Sequence, residues 1–396
     1  MARSERRTVR DVRKGNRAML LRTLYFDGPL SRNELTKVTG LSAATVSSMT
    51  GDLLAEQIIV EAGQVDSDGG RPRVLLRVDP SYGYLIGADV AETHVRVELF
   101  DLDMTERARV EYALRPARHE PELVARHILA GIDVVLADAG VSAGQVLGVG
   151  VGVPGIVGPG PEAVVDAKTF GWDAVPMGAL LRSGTQLPLF VDNGAKTMGQ
   201  AELWFGSGRG AGNAVIVLVG SGVGAAMIND GIAFRGVSSS AGEWGHTKIV
   251  AGGRSCRCGG RGCLEAYIGA EAILDRAGVP TGKAGWMEEV SQVLDAGGPV
   301  VDETIYYLGV GLGSLINLLN PDRIVIGGWA GLLLGERLLP QIRTAAAENA
   351  LAQPYAAASI VLGRLGPDAV ALGAATLVLE DFLNETPLTS RVTAAG

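Results

Sequence analysis

A chain of 396 residues, 47% of them hydrophobic, is long enough for two or three domains with sizeable cores. No apolar stretch follows the basic N-terminus as in a signal peptide, and no apolar run reaches bilayer-spanning length, so a cytoplasmic protein is expected. The net charge of −8 is uneven: residues 1–80 carry 13 Lys/Arg and 10 Asp/Glu, the remainder 22 and 33, so only the N-terminal end suits a polyanion.

In chain order, the first expected element is a helix over residues 16–25, with Ala18, Leu20, Leu21 and Leu24 on its apolar side. Gly28-Pro29 breaks it. Ser31 is placed to cap a second helix, with Glu34 at the capping-box position and Arg32, a candidate DNA contact, at its start. Gly40 ends that helix. Ser42 then caps a third, running to about Glu56 with Val46, Met49, Leu53 and Leu54 inward. Two short helices joined by a glycine turn form a helix-turn-helix pattern. The outward side of the third helix offers Ser42, Ala43, Thr45, Ser47 and Ser48, small enough to approach phosphates and base edges. Strands are expected at 58–60 and 73–76. Between them, residues 66–73 read as a flexible wing presenting Arg71 and Arg73 to a phosphate or minor groove. Residues 1–80 are therefore expected to be a winged helix-turn-helix that binds double-stranded operator DNA.

From Tyr82 the texture changes to glycine-rich strands alternating with helices. Strands are expected at 84–90, 95–100, 107–114 and 146–153, with a helix over 121–139 before the last. The order begins again with strands at 214–219, 225–228 and 247–250. A helix over 301–319, a strand at 323–326, a helix over 332–349, a strand at 359–363 and a helix over 368–383 follow. The repeated order predicts an α/β body of two similar lobes with a cleft between them. Lobe 1 is expected over 81–194, completed by the C-terminal helix 368–384, and lobe 2 over 195–367.

The three cysteines, Cys256, Cys258 and Cys263, lie within eight residues, and His246 precedes them by ten. Three thiols and one imidazole make a complete tetrahedral zinc shell with no open position, which predicts a structural zinc. Glu243 and Glu265 flank the cluster, so the metal would shape a ligand pocket.

The helix-turn-helix start, the double lobe, the Gly242-Glu243-Trp244-Gly245-His246 box and the run from Cys256 to Glu265 together resemble the ROK family of sugar-responsive repressors and sugar kinases. The resemblance implies an actin-like fold of two ribonuclease-H-like lobes around a monosaccharide, assembled as a homodimer or homotetramer. It implies sugar contacts from Asn193, Glu243, His246 and Glu265, with Gly155 offering backbone. Kinase members carry an Asp-x-Gly-Gly-Thr phosphate turn, which here reads Asp89-Val90-Ala91-Glu92-Thr93. They also carry a catalytic Asp in Asn-Asp-Ala-Asn, which here reads Asn193-Gly194-Ala195-Lys196. Without that carboxylate no side chain is placed to deprotonate the sugar. The expected function is a sugar-responsive transcriptional regulator without enzymatic activity. The alternative is an ATP-dependent sugar kinase with an added DNA-binding domain.

Overall fold

The computed structural model describes residues 8–67, 70–114, 119–280 and 285–384. Its first helix, α1 (Val9–Asp27), is longer than expected. Thr8 and Asp11 form a capping box, the Asp11 carboxylate accepting the Thr8 amide at 2.8 Å, and so satisfy amides of the first turn two turns upstream. A two-residue strand, β1 (Leu30–Ser31), leads into α2 (Arg32–Thr39). Ser31 and Glu34 cap α2 reciprocally, and Gly40 ends it in the left-handed conformation. The third helix, α3 (Ala43–Ala55), is capped by Ser42.

The hairpin that follows differs from the expected short strands. β2 (Ile59–Ser67) and β3 (Gly70–Val78) pair antiparallel as far as Ser67 opposite Gly70. Ser67, Gly70 and Arg73 are therefore paired across the hairpin rather than part of an open loop, with a register irregularity between Val65 and Ser67. Asp68, Gly69 and the side chain of Arg71 lie outside the described residues. Leu20, Leu21, Leu24, Leu35, Val46, Leu53, Ile58 and Leu76 close the core of this N-terminal unit.

The body repeats one topology twice. β4 (Tyr84–Val90), β5 (His94–Asp101) and β6 (Glu106–Ala113) are antiparallel neighbours. After α4 (Pro121–Ala139), β7 (Val146–Val153) joins β4 in parallel. The excursion β8 (Ile156–Val157), β9 (Val164–Ala167), β10 (Trp172–Pro176) and α5 (Met177–Arg182) forms a small sheet before β11 (Leu189–Asn193) adds beside β7. The sheet order is β11-β7-β4-β5-β6. After α6 (Gly194–Phe205), β12 (Ala214–Val219), β13 (Val223–Asn229) and β14 (Ile232–Phe234) are again antiparallel. Short helices α7 (Glu265–Ile268), α8 (Ala270–Arg276) and α9 (Trp286–Ala296) and the long α10 (Pro299–Leu319) lead to β15 (Arg323–Gly327), parallel to β12. Then α11 (Trp329–Glu348), α12 (Ala352–Ala357) and β16 (Ser359–Leu362) complete the order β14-β13-β12-β15-β16.

The last helix, α13 (Ala369–Asn384), returns to the first sheet and packs on β4 and β7. Gly87 and Gly150 permit this contact, since a Cβ on either would collide with a carbonyl of α13, at Ala371 or Ala374. The other face of the first sheet is covered by α4, and α10 and α11 lie in the core of the second lobe. No helix among the described residues is long and apolar enough to cross a membrane.

One expected strand is corrected. Residues 247–250 are not the third strand of the second sheet, which is β14. The amide of Ile249 goes to the Gly262 carbonyl (2.9 Å), so this segment is spent on folding the cysteine loop. β14 escapes a pattern search because it is three residues long and two of them, Ile232 and Phe234, are exposed.

Glu98 on β5 is 2% exposed, and among the described residues its Oε1 has no hydrogen-bond partner. Burial, helped by the Glu106 carboxylate, pushes its pKa from 4.5 up to about 7. The folded chain thus keeps a proton that the unfolded chain releases, and stability should fall as pH rises from about 4.5 to about 7. Glu98→Gln is expected to remove that slope and to stabilise the protein above pH 7 by on the order of 2 kcal/mol. Urea unfolding at pH 5 and pH 8 checks it; a variant no more stable than wild type at pH 8 would contradict it.

Candidate metal centre and ligand cleft

The ligand atoms of His246, Cys256, Cys258 and Cys263 all lie within 4.8 Å of one another. All three thiols are free, as a shared metal ion requires. The spacings fit one tetrahedral ion: with metal–sulfur bonds of about 2.3 Å, sulfurs stand about 3.8 Å apart. Cys258 Sγ and Cys263 Sγ are 3.7 Å apart, and Cys256 Sγ is 3.7 Å from His246 Nδ1.

The backbone builds this knot. The Cys256 amide donates to Gly260 O (2.8 Å) and the Leu264 amide to Thr247 O (3.0 Å). Trp244 is buried and donates its indole N–H to Gly311 O of α10 (3.3 Å), which fixes the Glu243–His246 turn. Lys248 Nζ donates to Cys263 Sγ at 2.8 Å and closes the knot on that side. Lys248 was not legible as a partner, because only the fold of the loop brings it beside Cys263.

His246 divides its two nitrogens. Nδ1 faces Cys256, and Nε2 lies 4.0 Å from Glu243 Oε2. Burial raises the Glu243 carboxyl above its ordinary value, partly opposed by His246 and Lys196. Glu265 is buried; its Oε2 accepts the Val223 amide (3.0 Å) and its Oε1 lies 3.7 Å from Cys256 Sγ. Three of the four side chains expected to meet a sugar thus ring the metal centre.

The fourth, Asn193, stands at the start of α6. Its Oδ1 accepts the amides of Ala195 (2.9 Å) and Lys196 (3.2 Å), and its Nδ2 donates to Gly155 O (2.7 Å). Gly155 has φ +80°, and a Cβ there would collide with Asp166 O, so only glycine places this carbonyl. Lys196 is buried rather than solvated, and its Nζ donates to Ser239 O. The Asp192 carboxylate is paired with Arg235.

A residue that sequence reasoning passed over, Arg257, joins the lobes. Its Nη1 meets Glu92 Oε1 at 2.7 Å and Glu271 Oε2 at 3.1 Å. Its Nη2 donates to Ser221 O at 2.8 Å, and its Nε lies 3.8 Å from Glu265. Glu92 follows β4 and Ser221 follows β12, the corresponding hairpin turns of the two lobes. Burial raises the Glu92 carboxyl, and Arg257 opposes that shift. The signal that could have found the contact was the pairing of Glu92 with an arginine between two thiols.

The expected nucleic-acid residues lie together on the N-terminal unit. Ser42, Ala43, Ser47 and Ser48 are exposed and Thr45 is half-buried. Ser42 Oγ and Thr45 Oγ1 are 2.9 Å apart, and Arg73 is exposed on β3. Arg32 is tied inward, its Nε donating to Thr50 Oγ1 of α3 at 2.9 Å. A cavity of 520 Å³, lined by Lys14, Asp192, Arg235 and Glu380 among others, contains none of Asn193, Glu243, His246 or Glu265.

Comparison with known proteins agrees with this fold. The Xylose repressor of Caldicellulosiruptor bescii is 30% identical over 386 residues, covering 93% of this chain and 96% of that one. Among solved structures, a ROK family transcriptional regulator homologous to the E. coli MLC protein superposes with a TM-score of 0.78, at 24% identity, over 96% of this chain and 99% of that one. A ROK family glucokinase from Streptomyces griseus, in complex with glucose and AMPPNP, gives 0.62 at 26% identity, over 74% of this chain and 99% of that one. A family model described as ROK family matches residues 85–381, and with the duplicated sheets and the Cys/His knot inside that span, the chain belongs to the ROK family.

Proposed function

We propose that this protein is a sugar-responsive transcriptional repressor that carries a structural zinc and does not phosphorylate its sugar. The observation that carries the reading is one chain in which an exposed small-residue face on α3 is joined to a cleft ringed by Glu243, His246, Glu265 and Asn193. Residues 1–80 act as a winged helix-turn-helix, α3 entering the major groove and the β2–β3 hairpin following the backbone. Residues 81–194 with α13, and 195–367, act as the two lobes. Carboxylates suit a monosaccharide because each accepts two hydroxyl donors, and D-xylose is the first sugar to test, given the name of the relative.

The kinase alternative has less support. Gly194 offers no base, and the turn that would cradle phosphates, at Asp89 to Thr93, is bridged through Glu92 and Arg257 to Ser221 of the other lobe. A nucleotide would have to break that bridge and then face Glu92. Zinc fits the donor set, since three thiolates and an imidazole prefer it to harder cations. The protein acts in the cytoplasm as a homodimer or homotetramer. Exposed Tyr306, Leu318 and Leu351 on and beside α10 support a contact with a second copy.

The experiment is a binding series on duplex DNA recovered by selection from random sequence. Ser48→Glu places a carboxylate on the outward face of α3 and is expected to weaken binding by 100-fold or more without changing the unfolding temperature. Arg73→Ala should weaken it uniformly and lower the salt slope by about one. Undiminished binding by Ser48→Glu would contradict the assignment of α3.

A further inference from the structure

We propose that α6 is the lever between the sugar cleft and the N-terminal helices, acting on α1 through a joint made by Arg22, Phe26, Trp204 and Phe205. The proposed function supplies what travels along this link; the link itself stands on contacts. At its first end α6 is capped by Asn193, whose side chain also holds Gly155 of the first lobe. About 18 Å further on, the length of a 12-residue helix, it ends at Trp204 and Phe205.

There the last turn of α1 meets it. The Phe26 and Trp204 rings stand edge-on with centroids 5.3 Å apart, and Phe205 lies 6.3 Å from Phe26. The Arg22 guanidinium sits 5.3 Å from the Trp204 ring and 5.6 Å from that of Phe26. Arg209 Nη2 donates to Phe26 O at 3.0 Å. Trp204 is buried, so the joint is packed rather than incidental.

The seat of α1 belongs to both lobes. Its apolar face shares one core with Phe382 and Leu383 of α13, which lies on the first sheet. Its last turn rests on α6, which runs along α13 on one side and packs against β12 and β13 of the second sheet on the other. The end of α6 is fixed to the second lobe by buried Glu202, which accepts the amides of Ser207 (2.7 Å), Arg364 (2.9 Å) and Leu365 (3.0 Å). A helix seated on two bodies must shift when they rotate against each other, because packed contacts rearrange discretely rather than stretch. A sugar that draws Asn193 and Gly155 towards Glu243 and His246 would rotate the lobes about α6 and tilt α1, which carries α2 and α3.

Two measurements on the full chain test this. In the first, hydrogen exchange of Asn193→Ala is compared with wild type without sugar or DNA. Exchange of residues 20–27, at the far end of α6, should rise tenfold or more while that of α10 is unchanged. Unchanged exchange at 20–27, or loosening that includes α10 equally, overturns the lever. In the second, Trp204→Leu should keep D-xylose affinity and selected-duplex affinity within threefold of wild type, yet D-xylose should no longer change duplex affinity. Release by D-xylose equal to that of wild type overturns the joint. If D-xylose and other sugars leave the wild-type duplex bound while the first measurement succeeds, the repressor reading fails and the lever stands.

Discussion

Replacing Cys258 by Ser should reduce the zinc content from about one ion per chain to near zero and lower the unfolding temperature by roughly 5 °C. Three sulfurs and His246 Nδ1 leave no fifth ligand to take over, and a serine hydroxyl is a poor substitute for a thiolate. Binding of a structural zinc stabilises small peptides by about 10–16 kcal/mol. Here the knot is also tied down by Arg254, which meets Glu303 of α10 at 2.9 Å, and by Trp244, so part of the loss is absorbed and a cost of about 4 kcal/mol is expected. Sugar affinity should fall in the same variant, because His246 and Glu265 line the knot on one side and the cleft on the other. Metal analysis with thermal unfolding checks this; zinc-free wild-type protein prepared without chelator would contradict it.

Glu243→Ala should abolish the response to sugar while leaving duplex affinity in sugar-free buffer within threefold. Glu243 stands 4.0 Å from His246, on the turn fixed by Trp244, and has no contact with α1, α2 or α3 among those described. Two hydrogen bonds to a carboxylate contribute about 1.5–3 kcal/mol each, so sugar should bind 100-fold more weakly or worse. Calorimetry measures the first quantity and fluorescence anisotropy of labelled duplex the second. A variant that still releases DNA at the wild-type sugar concentration would remove Glu243 from the site.

The Cys/His cluster was legible because its side chains are chemically rare and closely spaced. Cys256, Cys258, Cys263 and His246 needed no tertiary information to be grouped. Local rules also fixed Ser31 and Glu34 as a cap, and α4 between Pro121 and Gly140. What depends on distant partners was not legible. Arg257 drew no reading, because its partners Glu92 and Ser221 lie 165 and 36 residues away in the chain. Residues 247–250 carry a strand pattern, yet the cysteine loop claims their backbone. The burial of Lys196 was not legible either, because it depends on where α6 packs. The length of β2 and β3 was missed because polar residues in a hairpin exposed on both faces leave no apolar alternation to read.

The most direct test of the central claim follows duplex release and ADP formation on one preparation, with ATP and magnesium present, as D-xylose and then other free and phosphorylated sugars are titrated. General-base assistance is worth about 10²–10⁴-fold, so a site with glycine at 194 should turn over little even if nucleotide entered. The account predicts that one sugar weakens duplex binding at least tenfold while ADP stays at the sugar-free background. Sugar-dependent ADP formation, with duplex binding indifferent to every sugar, would contradict it.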